Sequence, residues 1–104
     1  MKRHEVLPAA AAELDEAAVW YEEQQPGLGQ ALADAYQERL ASALDTPSSG
    51  TAAGHTPDGV EIRRYRLRRF ARYSVLLAWI NEVPTVLAFE HSSRRPGYWK
   101  DRLK

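Results

Sequence analysis

Six arginines crowd into the stretch IRRYRLRRFARY, beyond the middle of the chain. If this stretch is extended, alternate residues share a face, so Arg64, Arg66 and Arg68 would project together. One guanidinium binds a phosphate or a carboxylate through two parallel N–H bonds, and three in a row could follow a phosphate backbone or an acidic chain. Tyr65 and Tyr73 would add rings on which bases could stack. The alternative is an edge strand whose charges prevent aggregation, although lysine would serve that purpose equally well.

A second group of reactive side chains lies near the C-terminus, in HSSRRPGYW. Histidine titrates near neutrality, so His91 could move protons, while Arg94 could stabilise a charge developing on phosphorus. Tyr98 could act as a general acid or stack on a base. These three are the candidate catalytic residues. The alternative is a structural clamp in which Trp99 anchors in the core and Tyr98 covers the sheet. Contacts to a target or a nucleic acid are predicted for Arg64, Arg66, Arg68, Arg72, Arg95 and Trp99.

The sequence lacks the residue patterns of most other catalytic sites. It has no cysteine, and its three histidines are too scattered for metal ligation. A glycine-rich phosphate loop and a nucleophile elbow are also absent. We therefore predict no metal and no cofactor, and any catalysis would rely on arginine, histidine and tyrosine acting on a polyanion. Such chemistry is ribonuclease-like, with attack by a ribose 2′-hydroxyl and charge stabilisation by arginine.

Charge is divided unequally along a chain whose net charge is zero. Residues 1–61 hold 3 Lys/Arg against 11 Asp/Glu, a net of −8, whereas residues 62–104 hold 11 against 3, a net of +8. The basic half suits an anionic partner, unless the two halves neutralise each other within the fold. We interpret the carboxylates of the first predicted helix as a solvated face: Glu13, Asp15, Glu16, Glu22 and Glu23.

The length of 104 residues predicts a single domain, residues 1–104. The N-terminal MKRHEVLPAAAAEL begins with positive charge, but its apolar run is short and interrupted by carboxylates, which is unlike a signal peptide. No stretch approaches the length of a membrane span, and the absence of cysteine fits a reducing compartment. We expect a cytoplasmic protein with no membrane partner.

Hydrophobic periodicity predicts an α+β fold. A short strand at 3–7 precedes two amphipathic helices, from about 9 to 25 with Pro8 in the first turn and from about 28 to 44. Residues 46–59, rich in Gly, Ser, Thr and Pro, are predicted to be a loop. Three strands follow, VEIRRYRL, YSVLLAWI and TVLAFEH, and the apolar second one should lie in the centre of the sheet, covered on both faces. The predicted order is β-α-α-β-β-β, with the N-terminal strand and the α-helical hairpin packed on an antiparallel β-sheet.

Three segments, taken in order, resemble the RelE/ParE superfamily of bacterial toxins: AAAELDEAAVWYEEQQPGLGQAL, IRRYRLRRFARYSVLLAW and VLAFEHSSRRPGYWKDRL. The resemblance covers nearly the whole chain, and WYEEQQPGLG followed by RRFARY and HSSRRPGYW is its most specific combination. It implies a RelE/ParE-like domain with a helical hairpin against an antiparallel sheet. It also implies a type II toxin–antitoxin pair, in which a small cognate antitoxin wraps and inactivates the toxin in a hetero-oligomer.

Two branches of the superfamily imply different targets. RelE-like toxins cleave messenger RNA in the ribosomal A site, whereas ParE-like toxins poison DNA gyrase. The RelE pattern places one arginine directly after the aromatic residue that begins the central strand, where this chain has Ser74. It places another six residues before a C-terminal tyrosine, where this chain has Ser92. Arg72 and Arg94 each lie two residues away and could substitute if the strands continue. The loss of two charge stabilisers would cost about 3 kcal/mol each in transition-state binding.

The two serines favour the ParE-like branch. We therefore expect a toxin, neutralised by a cognate antitoxin, that inhibits growth by binding a cellular target, with DNA gyrase as the leading candidate. A third hypothesis is a non-toxic binding module that has kept the fold. The alternative enzyme is a RelE-like, ribosome-dependent and metal-independent endoribonuclease acting on messenger RNA through Arg64, Arg66, His91, Arg94 and Tyr98.

Overall fold

Five strands and two helices build the fold in the structure, a computed structural model that describes residues 2–103. The strands form one sheet in the order β1-β5-β4-β3-β2, in which β1 pairs parallel to β5 and the other pairs are antiparallel. The α+β class is confirmed. Among the described residues, neither helix combines the length and hydrophobicity that a bilayer span requires. The elements in chain order are β1 (Glu5–Val6), α1 (Pro8–Gln24), α2 (Leu28–Asp45), β2 (Thr51–His55), β3 (Glu61–Arg66), β4 (Tyr73–Ile80) and β5 (Val83–His91), with short 3₁₀ turns at Pro47–Ser49 and Lys100–Leu103.

The hairpin between α1 and α2 turns at Pro26-Gly27, as its sequence predicts. Gly27 takes a left-handed φ of 94°, which suits glycine, and it has no side chain with which to cap α2. Glu22 of α1 supplies the cap, because its carboxylate accepts hydrogen bonds from the N–H groups of Gly27 and Gly29, both at 3.0 Å. Gly29 also allows the helices to approach closely, since a Cβ there would lie 2.6 Å from the Ala18 carbonyl oxygen.

Apolar side chains are buried on both faces of the sheet. The face beneath the helices carries Tyr65, Val75, Leu77, Val86 and Phe89. The opposite face carries Ile62, Leu76, Ala78, Leu87 and Ala88. The C-terminal segment, residues 92–103, covers part of that opposite face with Tyr98, Trp99 and Leu103. The prediction for SVLLAWI is therefore confirmed, because β4 lies in the centre of the sheet and is covered on both sides.

Residues 46–59 do not form the loop that their composition predicts. Within them TAAGH forms β2, an edge strand that pairs antiparallel with β3 and has a bulge between Ala52 and Gly54. A tight turn closes this hairpin, because the Thr56 N–H donates to the Val60 carbonyl at 2.8 Å and the Thr56 hydroxyl accepts from the Val60 N–H at 3.0 Å. Small residues with weak strand propensity are ordered here because β3 offers them a free row of hydrogen-bonding groups.

The extra strand places β3 inside the sheet, between β2 and β4. The explanation that the arginines of β3 protect an exposed edge strand is therefore wrong, since that edge belongs to β2. The turn from β3 to β4 includes Phe70 in a left-handed conformation with a φ of 62°, and the Tyr73 N–H donates to its carbonyl at 3.0 Å. The arginines of this stretch need an explanation other than edge protection.

A carboxylate on α1 holds the C-terminal segment against the outer edge of β5. Glu13 accepts hydrogen bonds from the Tyr98 hydroxyl at 2.6 Å and from two guanidinium nitrogens of Arg102 at 2.7 and 3.1 Å. It accepts a further bond from the backbone N–H of Phe89 at 3.1 Å. Arg102 in turn donates to the Leu87 carbonyl at 2.9 Å. The prediction of a solvated carboxylate face is therefore wrong for Glu13, whose side chain is only 12% exposed.

These hydrogen bonds make the charge of Glu13 part of the folded state. Burial alone raises the pKa of a carboxyl group, but the bonds from Arg102, Tyr98 and the Phe89 N–H outweigh burial and hold the pKa of Glu13 below its usual value of 4.5. A carboxylate whose pKa is lower in the folded chain than in the unfolded chain stabilises the fold above the unfolded pKa. This contribution is lost as the pH falls through the folded pKa.

We predict that Glu13→Gln lowers the free energy of unfolding by about 2 kcal/mol near neutral pH, because a neutral amide cannot accept all four hydrogen bonds. The difference from wild type should shrink as the pH falls from the unfolded-state pKa of Glu13 through its lower folded-state pKa, where the wild-type carboxylate itself takes up a proton. Urea unfolding followed by circular dichroism measures both quantities.

The matched control for this prediction is Glu16→Gln, which removes an exposed carboxylate from the same helix. It should change the free energy of unfolding by less than about 0.5 kcal/mol. Equal destabilisation by the two variants, or a difference that acid leaves unchanged, would show that Glu13 does not hold the C-terminal segment.

Candidate functional site

An arginine-lined cleft opens on the sheet face opposite the helices. The C-terminal segment covers one part of this face, and the cleft occupies the neighbouring part. The cleft has a volume of about 340 Å³, within the range of sites that bind small ligands. We call it the arginine cleft. Its lining residues are Arg64, Arg66, Ala71, Arg72, Ser74, Glu90, Ser92, Arg94 and Pro96.

Strand register brings these side chains together. In the β3–β4 ladder Arg66 lies opposite Ser74, and in the β4–β5 ladder Ser74 lies opposite Glu90. Residues directly opposite each other point to the same face, so these three form a row across the sheet. Arg72 and Arg94 enter the cleft from turns outside the strands. The arginine cleft therefore forms only when three strands and two turns have folded together.

Four arginines and one carboxylate, Glu90, line the arginine cleft, and Glu90 binds one of the four. Glu90 is 8% exposed and accepts hydrogen bonds from Nε and Nη2 of Arg64 at 2.8 and 3.4 Å, and from the indole N–H of Trp99 at 3.0 Å. It thereby orients Arg64 and neutralises its charge. In the part of the chain that the structure describes, neither Arg66 nor Arg72 forms an ion pair. The cleft therefore keeps a net positive charge that suits an anionic ligand.

Two of the cleft arginines are positioned by contacts that leave their charge in place. Arg66 donates from Nε to the Ala71 carbonyl at 2.6 Å, which fixes the guanidinium beside the turn after β3. The Arg94 guanidinium stacks 3.9 Å from the ring centre of Tyr98 and lies 3.7 Å from an oxygen of Glu13. Its side chain is about half exposed, and its contact with the buried Glu13 is longer than the 2.7 Å contact that Arg102 makes with the same carboxylate. Arg94 therefore remains available to a ligand.

The structure places Arg68 outside the arginine cleft, away from Arg64. Because β3 ends at Arg66 and the chain then turns, Arg68 lies toward α2, beside Arg39. The prediction that three arginines of this stretch share one face is therefore wrong for Arg68. Arg95 does not line the cleft either. The predicted site residues that do meet in the cleft are Arg64, Arg66, Arg72 and Arg94.

Trp99 is a core residue and lies outside any binding surface. It is 2% exposed, belongs to the cluster that contains Ile62 and Leu76, and donates its indole N–H to Glu90. The predicted contact between Trp99 and a target is therefore wrong, and the alternative of a C-terminal clamp describes this residue. Because Glu90 binds both Trp99 and Arg64, the clamp also supports one wall of the arginine cleft.

Tyr98 is poorly placed to act as a general acid. Its hydroxyl donates to Glu13 at 2.6 Å, and its ring lies between the guanidinium groups of Arg94 and Arg102 at 3.9 and 5.1 Å. Burial, together with the hydrogen bond to Glu13 and the charge of that carboxylate, raises the pKa of Tyr98 far above its ordinary value. A phenol that holds its proton this firmly is a weak acid catalyst.

His91 faces the helix side of the sheet, away from the arginine cleft. Its ring packs edge-on against Tyr73 at 4.9 Å, and its Nδ1 accepts a hydrogen bond from the Ser93 N–H at 3.0 Å. It lines a separate depression together with Glu13 and Arg94. Of the three candidate catalytic residues, only Arg94 therefore lines the cleft. Residues 2–103 contain no cluster of three or more acidic or histidine side chains that could hold a metal ion.

The two serines that stand at the arginine positions of the RelE pattern both line the arginine cleft, and so do Arg72 and Arg94. The Ser92 N–H donates to the Arg72 carbonyl at 2.7 Å, which joins the two turns. Since β5 ends at His91, Arg94 reaches the cleft from a turn and not from the continued strand that the sequence suggested. The two positive charges are therefore present in the cleft, two residues from the expected positions.

Sequence reasoning missed the two buried carboxylates, although both left a signal. Glu90 is a charged residue in an otherwise apolar strand, and a buried charge requires a partner. Glu13 lies three residues after Ala10 and four before Ala17, which are the two buried residues of α1. Its position in the helical period therefore places it on the buried stripe, apart from the exposed carboxylates of the same helix.

We predict that Glu90→Gln raises the affinity of the protein for inorganic pyrophosphate by about fivefold, because Arg64 loses the carboxylate that neutralises it. The amide oxygen can still accept the indole N–H of Trp99. Isothermal titration calorimetry at fixed salt measures the affinity. Glu23→Gln makes the same change of charge at an exposed position of α1 and should leave the affinity nearly unaltered. Equal affinities of the two variants would contradict this description of the cleft.

Comparison with known proteins adds no family to this description. The chain matches no protein-family profile, no curated protein and no solved structure. The likeness to RelE/ParE toxins therefore stays an expectation from the sequence.

Proposed function

We propose that this chain is the ParE-like toxin of a type II toxin–antitoxin module, which inhibits growth in the cytoplasm by binding a cellular target. DNA gyrase is the leading candidate for that target. The observation that carries the proposal is the arginine cleft, where, among the described residues, four arginines and a single carboxylate form the lining, and that carboxylate, Glu90, is already paired with Arg64. Such a surface is suited to holding an anionic group.

The residues around the cleft favour binding over catalysis. Cleavage of a phosphodiester needs a group that moves a proton at the reacting atoms. Tyr98 holds its proton against Glu13, and His91 lies on the other face of the sheet. Glu90 is engaged by Arg64 and Trp99. The cleft thus supplies positive charge, whereas none of these three groups is placed to carry a proton.

The toxin class is supported by the way the fold combines the segments that carry the resemblance. IRRYRLRRFARY and HSSRRPGYW lie far apart in the sequence, yet both contribute residues to the arginine cleft. The helical hairpin precedes the three longest strands, which is the order that the resemblance implies. An antitoxin segment with acidic side chains would match the cleft in charge, and it would block the surface proposed to bind the target.

We predict that expression of this chain arrests the growth of a bacterial host, and that the double variant Arg66→Ala/Arg72→Ala relieves the arrest. The variant removes two cleft charges that have no ion pair in the described part of the chain. Colony counts after induction, at protein levels matched by immunoblot, measure the effect. Co-expression of the small open reading frame beside the gene should restore growth.

The control for the growth experiment is the double variant Arg3→Ala/Arg95→Ala, which removes two exposed arginines outside the cleft. It should arrest growth as wild type does. Normal growth with wild-type protein would overturn the toxin proposal and favour a non-toxic module. Equal relief by the two double variants would show that overall charge, and not the arginine cleft, determines the effect.

A RelE-like endoribonuclease is the second candidate, and one observation favours it. Arg72 and Arg94 line the cleft beside Ser74 and Ser92, so two guanidinium groups are available where charge would develop on a phosphorane. This activity would also require Tyr98 to leave Glu13 when the substrate binds, because the free chain holds the phenolic proton there.

The variant Tyr98→Phe separates the two candidates. If the protein acts by binding gyrase, we expect this variant to keep the growth arrest and the inhibition of DNA supercoiling at micromolar protein, with messenger RNA intact. It should lose about 1 kcal/mol of unfolding free energy with the hydrogen bond to Glu13. Loss of growth arrest together with the disappearance of transcript cleavage would instead support the endoribonuclease. Absence of supercoiling inhibition by wild type would remove gyrase and leave the toxin proposal standing.

A further inference from the structure

A second cleft adjoins the arginine cleft on the side of α2. It has a volume of about 380 Å³, and it shares Arg66 with the arginine cleft. We call it the hydroxyl cleft, because half of the residues that line it carry a hydroxyl group. Those residues are Arg39, Ser42, Thr46, Ser49, Arg66 and Arg68.

Among the described residues, none that lines the hydroxyl cleft carries a carboxylate. The N–H groups of Arg39 and the Ser42 hydroxyl donate within the protein. This leaves Arg68 and the hydroxyls of Thr46 and Ser49 as donors for an anion. Guanidinium groups and hydroxyls together offer N–H and O–H donors from several directions. A phosphate group, with its several acceptor oxygens, can accept from all of them, whereas a planar carboxylate fits a single guanidinium fork. The composition of the hydroxyl cleft therefore favours phosphate.

Arg39 builds the floor of the hydroxyl cleft and holds it in shape. It donates to the Arg66 carbonyl at 2.9 Å, to the Ser42 hydroxyl at 2.6 Å and to the Ser49 carbonyl at 3.3 Å. Its guanidinium also lies 5.2 Å from the ring centre of Tyr65. One side chain thus joins α2, β3 and the 3₁₀ turn between α2 and β2. The cleft is formed before any ligand arrives.

Arg68 stands at the rim of this floor, beside a depression that Glu38 also lines. It is exposed, and no carboxylate pairs with it among the described residues. Burial, and after it the positive charge of Arg68, lowers the pKa of Arg39 below its ordinary value. Two guanidinium groups therefore repel each other across the cleft, and an anion bound between them would relieve that repulsion.

Arg66 connects the two clefts. Its side chain donates to the carbonyl of Ala71, which lines the arginine cleft, and its own backbone carbonyl accepts from Arg39, which lines the hydroxyl cleft, so that one residue lines both clefts. A ligand with anionic groups at regular intervals could place one in each cleft and pass over Arg66 between them. A single-stranded nucleic acid has such a regular row of phosphates.

We propose that the hydroxyl cleft is a second phosphate subsite, which binds a further phosphate of a single-stranded nucleic acid whose first phosphate occupies the arginine cleft. Arg68 and the Thr46 hydroxyl contact the second phosphate, and Arg66 lies between the two. This inference depends on the charge of the arginine cleft and not on the proposed toxin activity. Recognition is through the backbone and is independent of base sequence.

The test compares oligonucleotides that reach one or both clefts. Fluorescence anisotropy is measured with labelled oligo(dT) and oligo(U) of two and eight nucleotides. Wild type should bind the octamers about tenfold more tightly than the dimers, which have one phosphodiester. Arg68→Ala should weaken octamer binding about fivefold, lower the magnitude of the salt slope by about 0.7 and leave dimer binding unchanged.

Two further variants distinguish binding at a defined phosphate subsite from general attraction to a positively charged surface. Thr46→Val keeps the net charge and the shape of the side chain, and it should still weaken octamer binding about twofold through the lost hydroxyl. Arg3→Ala removes an exposed arginine that lines neither cleft and should change octamer binding only slightly. Unchanged binding by Thr46→Val, or equal losses in Arg68→Ala and Arg3→Ala, would overturn the subsite.

The ligand class is tested with the same proteins. Oligo(dT) and oligo(U) should bind alike, because the lining residues are matched to phosphate and not to sugar. A tenfold preference for oligo(U), or competition by octaglutamate as strong as by the octamers, would overturn phosphate recognition. Growth arrest by a protein that binds neither octamer would overturn this inference and leave the toxin proposal intact. Octamer binding without growth arrest would support this inference and overturn the toxin proposal.

Discussion

The carboxylate of Glu13 joins three parts of the chain: α1, the outer edge of β5 and the C-terminal segment. It lies on α1, accepts a backbone N–H from the outer edge of β5, and binds Tyr98 and Arg102 of the C-terminal segment. Because β1 pairs with only the first part of β5, this edge would otherwise expose hydrogen-bonding groups. The buried Glu13 carboxylate accepts one backbone N–H of this edge and holds the C-terminal segment, and its own burial is offset by four hydrogen bonds.

The C-terminal segment, which Glu13 holds in place, divides the sheet face opposite the helices into two regions. One region is an apolar cluster closed by Trp99, and the other is the arginine cleft. Glu90 lies on the boundary, since it accepts from Trp99 on one side and from Arg64 on the other. The same charge therefore completes the core and orients the first arginine of the site. A substitution in the C-terminal clamp would therefore alter the arginine cleft, although the clamp and the cleft share few residues.

Much of the fold could be predicted from local pattern, because alanine-rich amphipathic helices and an apolar central strand carry strong signals. The prediction was wrong for β2, whose small residues have little strand propensity and are ordered only by pairing with β3. It was also wrong for Arg68, since the pattern does not reveal that β3 ends at Arg66. Trp99 was predicted to contact a target, with a core anchor as the alternative, because type and position do not indicate which partner a large aromatic residue will find.

The sequence by itself determined the α+β class, the helical hairpin, the central strand and the concentration of positive charge in the second half of the chain. Only the tertiary structure decided which of those charges act together. Register and turns bring Arg64, Arg66 and Arg72 to one face and direct Arg68 to another. Local propensity depends on neighbours within a few residues, whereas a binding site depends on cross-strand partners and buried counter-charges that are distant in the sequence.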